Sequence, residues 1–183
     1  MNPIYLIRHG KTQANLCHLY CGSTDLPLSQ AGIDQLKMLH YDLPPVRFLT
    51  SGMKRTEQTL ELLFGNVPHQ QDDAFREIDF GKFEMHSYDQ LKDDPDYVAW
   101  ISGDNHRNVP PGGESGEAMT ARVLAAFRRL QQENIPTALI THGGVIAAMM
   151  ESLFPEEKKS RYQWQPEPGH GYVIFNGGYQ PIP

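Results

Sequence analysis

Arg8, His9 and Gly10 stand directly behind a short apolar run, Ile4 to Ile7. A guanidinium offers a planar fork of donors that matches phosphate or carboxylate. An imidazole can attack or carry protons near neutral pH. Gly10 would let the backbone turn tightly and a ligand come close. An Arg-His pair at a strand end is also an ordinary surface feature, so other residues must decide. Two more apolar runs end in chemistry: Val46 to Ser51 leads into a helix from about Lys54 with Arg55 in its first turn, and Thr137 to Thr141 ends at His142-Gly143-Gly144. Between them lies Glu77-Ile78-Asp79-Phe80-Gly81, with carboxyl groups beside apolar neighbours.

Two arginines, two histidines and the N–H groups opening a helix after Gly143 specify a cluster of anionic oxygens, and phosphate is the commonest such ligand. A neutral imidazole among them can attack phosphorus and split phosphoryl transfer into two displacements. The arginines and the second histidine would hold the other oxygens as charge shifts. The departing alkoxide needs a proton, which Glu77 or Asp79 could supply; the pattern does not choose between them.

These residues meet only if their strands lie side by side. Ser29 reads as the N-cap of a helix carrying Ile33, Leu36, Leu39 or His40, and Leu43, stopped by Pro44-Pro45. Leu60, Leu63 and Phe64 form the stripe of the helix after Lys54, closed by Gly65-Asn66. Val67 to Arg76 holds a short strand, and Tyr88 to Ile101 one helix in which Asp93-Asp94-Pro95-Asp96 is a solvated turn. Ser115 caps a helix bearing Met119, Val123, Ala126, Phe127 and Leu130. A helix follows Thr141 as far as Leu153, Tyr172 to Phe175 is a final strand, and Gly177-Gly178 opens a loose tail. Strands alternating with helices predict an α/β fold, a three-layer α/β/α sandwich around a mostly parallel central sheet, whose ligands bind at the carboxyl ends of the strands. The irregular stretch 82–113 reads as a small inserted cap on one domain spanning 1–183.

The chain has 183 residues and a net charge of -6, with no Lys/Arg run, which excludes a nucleic-acid face. No apolar run approaches a membrane span, and nothing at the N-terminus reads as a secretory signal. Two cysteines, Cys17 and Cys21, give no disulfide framework and fit a reducing cytoplasm. The spacing points to no metal site and no organic cofactor. The partner expected is a small phosphate ester, handled by a monomer or homodimer.

Arg8-His9-Gly10 with Thr12 and Asn15, Arg55-Thr56-x-x-Thr59, Glu77 and Thr141-His142-Gly143-Gly144 together resemble the histidine phosphatase (phosphoglycerate mutase-like) superfamily, over about Ile4 to Leu153. The resemblance implies that His9 is transiently phosphorylated and that Arg8, Arg55 and His142 complete the phosphate pocket. It makes Glu77 the proton donor and later the base that activates water. Asn15 would contact the phosphate, with Cys21 and Gly22 close by. The loop Leu19 to Ser29 looks most like the α-ribazole phosphatase branch, which acts in cobalamin assembly. Gly52, Met85 and Ala147 depart from common family patterns, which carry proline, glycine and arginine there; Met85 borders the cap and so bears on substrate choice.

The expected activity is therefore a metal-independent phosphomonoesterase. Phosphoglycerate mutase and sugar-bisphosphate phosphatase are the enzymatic alternatives, and the short cap weighs against a mutase. A phospho-ligand binding module without turnover is the third reading, and it has no need of His9 or Glu77. Glu84 and Glu114 read as supporting carboxylates. His18, His40, His69, His86, His106 and His170 read as surface or packing residues, with His86 and His106 placed in the cap to reach substrate. Trp100 and Trp164 read as packing.

Overall fold

A computed structural model of the chain describes residues 2–104 and 106–183; Asn105, within the stretch expected to be inserted, lies outside the described residues. In chain order the elements are β1 (Ile4–Arg8), α1 (Gln13–Leu16), α2 (Gln30–Lys37), β2 (Arg47–Thr50), α3 (Lys54–Phe64), β3 (His69–Gln71), α4 (Tyr88–Leu91), α5 (Pro95–Ile101), α6 (Gly116–Glu133), β4 (Thr137–Thr141), α7 (Gly143–Leu153), α8 (Arg161–Trp164), β5 (Gly171–Phe175) and β6 (Gly178–Ile182).

Among the described residues the strands form one six-stranded sheet in the order β3-β2-β4-β1-β5-β6. The first four pair in parallel, and β5 and β6 add antiparallel at the edge. Alternation along the strands builds the three layers. Ile4, Leu6, Leu49 and Leu139 point into a core shared with Val123 and Phe127 of α6 and Val145 and Met149 of α7. On the other face, Phe48 meets Phe64 of α3 with ring centroids 4.9 Å apart. Strand β4 is buried along its whole length and α7 from Val145 to Met150, so the centre is apolar on all sides. Each large aliphatic side chain buried there contributes about 1.5–3 kcal/mol.

The register sets Arg8 of β1 beside Thr141 of β4, and the next residue continues the pairing, His9 N–H donating to the Thr141 carbonyl at 2.9 Å. Strand β2 lies on the far side of β4, with Thr50 opposite Ile140. The carboxyl ends of β1, β2 and β4 thus deliver Arg8-His9, Ser51 and His142 to one edge, as the sequence predicts.

Three local expectations are corrected. Helix α2 stops at Lys37 instead of reaching Leu43: Met38 and Leu39 donate to carbonyls three residues back, at 3.1 and 3.0 Å, which tightens the last turn. The chain beyond is held by tertiary contact, the Tyr41 hydroxyl donating to the Gly169 carbonyl at 2.5 Å. The single helix over Tyr88 to Ile101 is two, because Asp94 caps a new start and Pro95 occupies its first turn. The loose tail is β6. Asn176 and Gly177 both adopt positive φ, 49° and 77°, as a two-residue hairpin turn requires.

The stretch 82–113 packs around a small second core. Phe83, Leu91 and Tyr97 are buried, with Tyr20, Phe80 and Trp100 packed against them. Tyr20 reaches this cluster from the loop after α1, and its backbone is tied to the stretch 82–113 by Met85 N–H to the Tyr20 carbonyl (2.7 Å) and Tyr20 N–H to the His86 carbonyl (3.0 Å).

Candidate active site

A pocket opens at the carboxyl edge of the sheet. Arg8, His9, Asn15, Cys21, Arg55, Glu77 and Gly143 line it, joined by Thr12, Leu19, Tyr20, Phe80 and Gln165. Seven of the nine residues singled out from the sequence therefore converge here; His142 and Gly22 stand one step behind.

His9 is buried, and its Nδ1 lies 2.7 Å from the carbonyl of Gly10. A carbonyl can only accept, so Nδ1 carries the proton and the Nε2 lone pair is free for the pocket. Burial, with Arg55 and Arg8 nearby, holds the His9 pKa well below its ordinary value, so the ring is neutral. Gly10 serves packing more than ligand approach: a Cβ there would stand 2.7 Å from Leu36 of α2.

His142 is fully buried and contacts the His9 ring edge-on, centroids 5.1 Å apart. Its Nδ1 accepts from Arg55 Nε at 3.2 Å, which places its proton on Nε2, 2.8 Å from Ser51 Oγ. Ser51 can then donate to Thr56 Oγ1 at 3.1 Å, and Thr56 donates to the Met53 carbonyl at 2.7 Å. Both imidazole nitrogens are committed, so His142 braces Arg55 instead of facing the pocket. Burial and the neighbouring Arg55 push its pKa down as well.

Arg55 is held by carbonyls, Nη1 donating to Thr24 O at 2.9 Å and Nη2 to Gly22 O at 2.7 Å. Three of its five N–H groups are used there and on His142, and two remain for an anion. Arg8 Nη1 donates to the Pro166 carbonyl at 2.7 Å, while its buried Nε has no partner. Asn15 accepts from Thr12 N–H at 2.9 Å through Oδ1, a capping box that orients the amide, leaving its Nδ2 as a donor.

Gly22 belongs to the scaffold of Arg55. Its N–H donates to Glu84 at 2.9 Å, and a Cβ would stand 1.6 Å from the Ile78 carbonyl oxygen, so only glycine fits. Glu84 also accepts from Ser23 N–H (3.0 Å), Thr24 N–H (3.2 Å), Thr24 Oγ1 (2.7 Å) and Phe80 N–H (3.0 Å). This carboxylate shapes the loop that holds Arg55. Cys21 keeps its thiol at 3.5 Å from the Thr24 carbonyl, and burial raises its pKa.

Glu77 accepts from Gly144 N–H at 2.9 Å through one oxygen and from Ile78 N–H at 3.0 Å through the other. The N-terminus of α7 thus positions the carboxylate. Asp79 is turned elsewhere, accepting from Gly81 N–H (2.8 Å) and Ser23 Oγ (2.9 Å). Geometry separates the two carboxyl groups that the sequence left open: Glu77 lines the pocket, and Asp79 closes a turn. Behind Glu77, Arg122 donates to the carbonyls of Ala74 (2.8 Å), Arg76 (2.8 Å) and Glu77 (3.2 Å), and Glu114 holds it in a bidentate pair at 2.8 Å.

Tyr20, Phe80 and Gln165 are lining residues that carried no signal of their own; Gln165 arrives from the chain after α8. His86 is exposed, and Trp100 packs against Phe83, Leu91 and Tyr97. Among the described residues no group of three or more His, Cys, Asp and Glu side chains is arranged to hold a metal ion, and no helix is long and apolar enough to cross a membrane.

Comparison with known proteins gives this geometry a context. The chain is 32% identical over 177 residues to an adenosylcobalamin/alpha-ribazole phosphatase of Salmonella typhimurium, covering 91% of this chain and 86% of that one. It superposes with a TM-score of 0.85 and 27% identity on a putative alpha-ribazole-5'-P phosphatase from Escherichia coli, covering 98% and 94% of the two chains. A phosphoglycerate mutase from Thermus thermophilus matches with a TM-score of 0.77 and 30% identity over 99% and 98%. The family model of the histidine phosphatase superfamily (branch 1) matches residues 4–175, and the chain belongs to that superfamily as a phosphatase.

Proposed function

We propose that this phosphatase hydrolyses a small phosphomonoester without a metal ion, through a phosphohistidine on His9. The observation that carries the reading is the His9 tautomer: Nδ1 is pinned to the Gly10 carbonyl, and a neutral Nε2 faces a pocket holding the spare donors of Arg8, Arg55 and Asn15. Nε2 attacks phosphorus, the ester P–O bond breaks, and Glu77 gives a proton to the departing alcohol oxygen. Water then attacks the phosphorus, Glu77 takes its proton, the N–P bond breaks, and phosphate leaves with His9 restored. The arginines stabilise charge on the transferring group. The stretch 82–113 acts in this reading as the substrate-selecting cap of a single domain.

The substrate supported best is α-ribazole 5′-phosphate, because relatives bearing that activity match almost the whole chain. The second reading is a phosphoglycerate mutase, which the Thermus thermophilus likeness favours. The free thiols of Cys17 and Cys21 support a cytoplasmic setting.

Brief incubation with a ³²P-labelled phosphomonoester is expected to trap an acid-labile, alkali-stable phosphoenzyme that His9→Ala cannot form. Label persisting at wild-type level in His9→Ala would overturn the assignment. Glu77→Gln is expected to lower kcat by about 10²-fold or more while inorganic phosphate still binds. Ranking α-ribazole 5′-phosphate against 3-phosphoglycerate by kcat/KM separates the two substrate readings.

A further inference from the structure

In the proposed mechanism the leaving oxygen lies opposite His9 Nε2 and must reach the proton donor. The alcohol half of the ester therefore emerges beside Glu77. Two cavities flank the phosphate pocket. One, of 420 Å³, borders it at Arg8 and Asn15, and Lys11 and His18 share its wall. The other, of 580 Å³, borders it at Glu77: its wall includes Gly144, whose N–H holds the Glu77 carboxylate, and Ile78, the next residue in the chain. Gln165 lines both this cavity and the phosphate pocket and so forms the partition between them.

We propose that the cavity framed by Ile78, His106, Ala147, Arg161, Tyr162 and Gln165 holds the alcohol half of the substrate and selects an uncharged, ring-bearing alcohol over one with a second phosphate or a carboxylate. This deepens the phosphohistidine reading and rests on its assignment of Glu77 as donor. The size of the cavity suits a ring system with attached sugar. Its charge is already balanced: Arg161 Nε pairs with Glu151 at 2.9 Å, and Arg161 Nη2 donates to Thr120 Oγ1 at 3.0 Å. A second anion would meet the Glu151 carboxylate together with Arg161 and so gain little net attraction, whereas an uncharged polar ring meets no such repulsion. Ile78 and Ala147 supply apolar wall, and Tyr162, 87% exposed at the rim, offers a free aromatic face. His106 completes the wall, its Nδ1 buried on the side of Gly116.

The test compares kcat/KM for α-ribazole 5′-phosphate and a purine nucleoside 5′-monophosphate with that for 3-phosphoglycerate. The better nucleoside ester is expected to lead by about tenfold or more. Ala147→Phe, which fills the cavity, is expected to remove most of that lead through KM and to leave inhibition by inorganic phosphate within about twofold. Tyr162→Ala, at an exposed position that folding does not need, is expected to reduce the lead in the same direction. Unchanged selectivity in both variants, or a wild-type preference for 3-phosphoglycerate, overturns the proposal while the phosphatase reading stands. If wild type turned over no ester, the catalytic reading would fail instead. The cavity is then tested by whether millimolar α-ribazole shifts the His106 ring resonances in wild type but not in Ala147→Phe; no shift in wild type overturns it.

Discussion

The buried histidine pair makes stability depend on pH in a way that tests His9 as the proposed nucleophile. His9 and His142 are both held neutral in the folded protein, by burial first and by the nearby Arg55 second. In the unfolded chain each titrates near 6.5. Below that pH the unfolded state binds protons that the folded state refuses, so stability falls as pH falls and is fully present above about 6.5. At pH 5.0 each histidine costs at most ~2 kcal/mol relative to pH 7.5, from 1.36 × log(1 + 10^1.5), and the pair at most ~4 kcal/mol. His69 works in the opposite direction, its pKa raised by the Val67 carbonyl and Glu57, but it is mostly solvated and offsets little. Urea unfolding at the two pH values, in phosphate-free buffer, measures the difference. In His9→Asn the pH-dependent loss is expected to shrink to about half, ~2 kcal/mol. If His9→Asn and wild type lost equal stability between pH 7.5 and 5.0, His9 would not be held neutral, and the case for it as a ready nucleophile would fail.

Two further substitutions test the parts behind the pocket. Glu84→Gln keeps shape but exchanges one acceptor oxygen for a donor facing the N–H groups of Gly22, Ser23 and Thr24. It is expected to cost ~1–3 kcal/mol by denaturation and to weaken inhibition by inorganic phosphate, because the loop that holds Arg55 loosens; unchanged phosphate affinity would deny Glu84 that role. Met85 sits at φ +61°, where a side chain is strained by ~1–2 kcal/mol. Met85→Gly is therefore expected to be near neutral, while β-branched Met85→Val destabilises by more than ~1 kcal/mol; equal effects of the two would refute the strain.

The strand ends, the order of the chemistry along the chain and the apolar stripes of α3 and α6 were legible because period and punctuation encode them locally. The helix boundary at Lys37 was not, since contacts of Leu39 and Tyr41 with the distant Gly169 decide it. The final hairpin carried a readable signal in Asn176-Gly177, which the surrounding glycine and prolines masked. At the site, Arg8, His9 and Arg55 could be named from residue type and position, whereas Glu77 was singled out only by the resemblance. The bracing role of His142 could not, because it depends on which nitrogen meets Arg55. The Glu84 anchor was equally hidden: an acid in an irregular stretch says nothing of the backbone amides that fold against it. The physical reason for Glu77 over Asp79 lies at the α7 N-terminus, in a contact between residues 67 positions apart that residue type cannot reveal.

How the two pocket arginines are held explains why so much of the supporting structure is backbone. Arg47, Arg122, Arg129 and Arg161 each pair with a carboxylate. Arg8 and Arg55 are instead gripped by carbonyls, of Pro166 for one and of Gly22 and Thr24 for the other, with neutral His142 completing the second grip. A carboxylate in direct contact would fix a guanidinium equally well, but it would cancel the charge that an incoming phosphate is meant to meet. Carbonyl dipoles fix the geometry and leave the charge uncompensated. The carboxylate that this arrangement still needs, Glu84, acts at one remove, on the amides of the loop whose carbonyls face Arg55. Burial presses both guanidinium groups toward losing their protons, yet from so high an ordinary value that they stay charged. Burial first, and this positive field second, keep His9 neutral. In the proposed reaction this arrangement of charge attracts the dianion and helps to preserve the lone pair that attacks it.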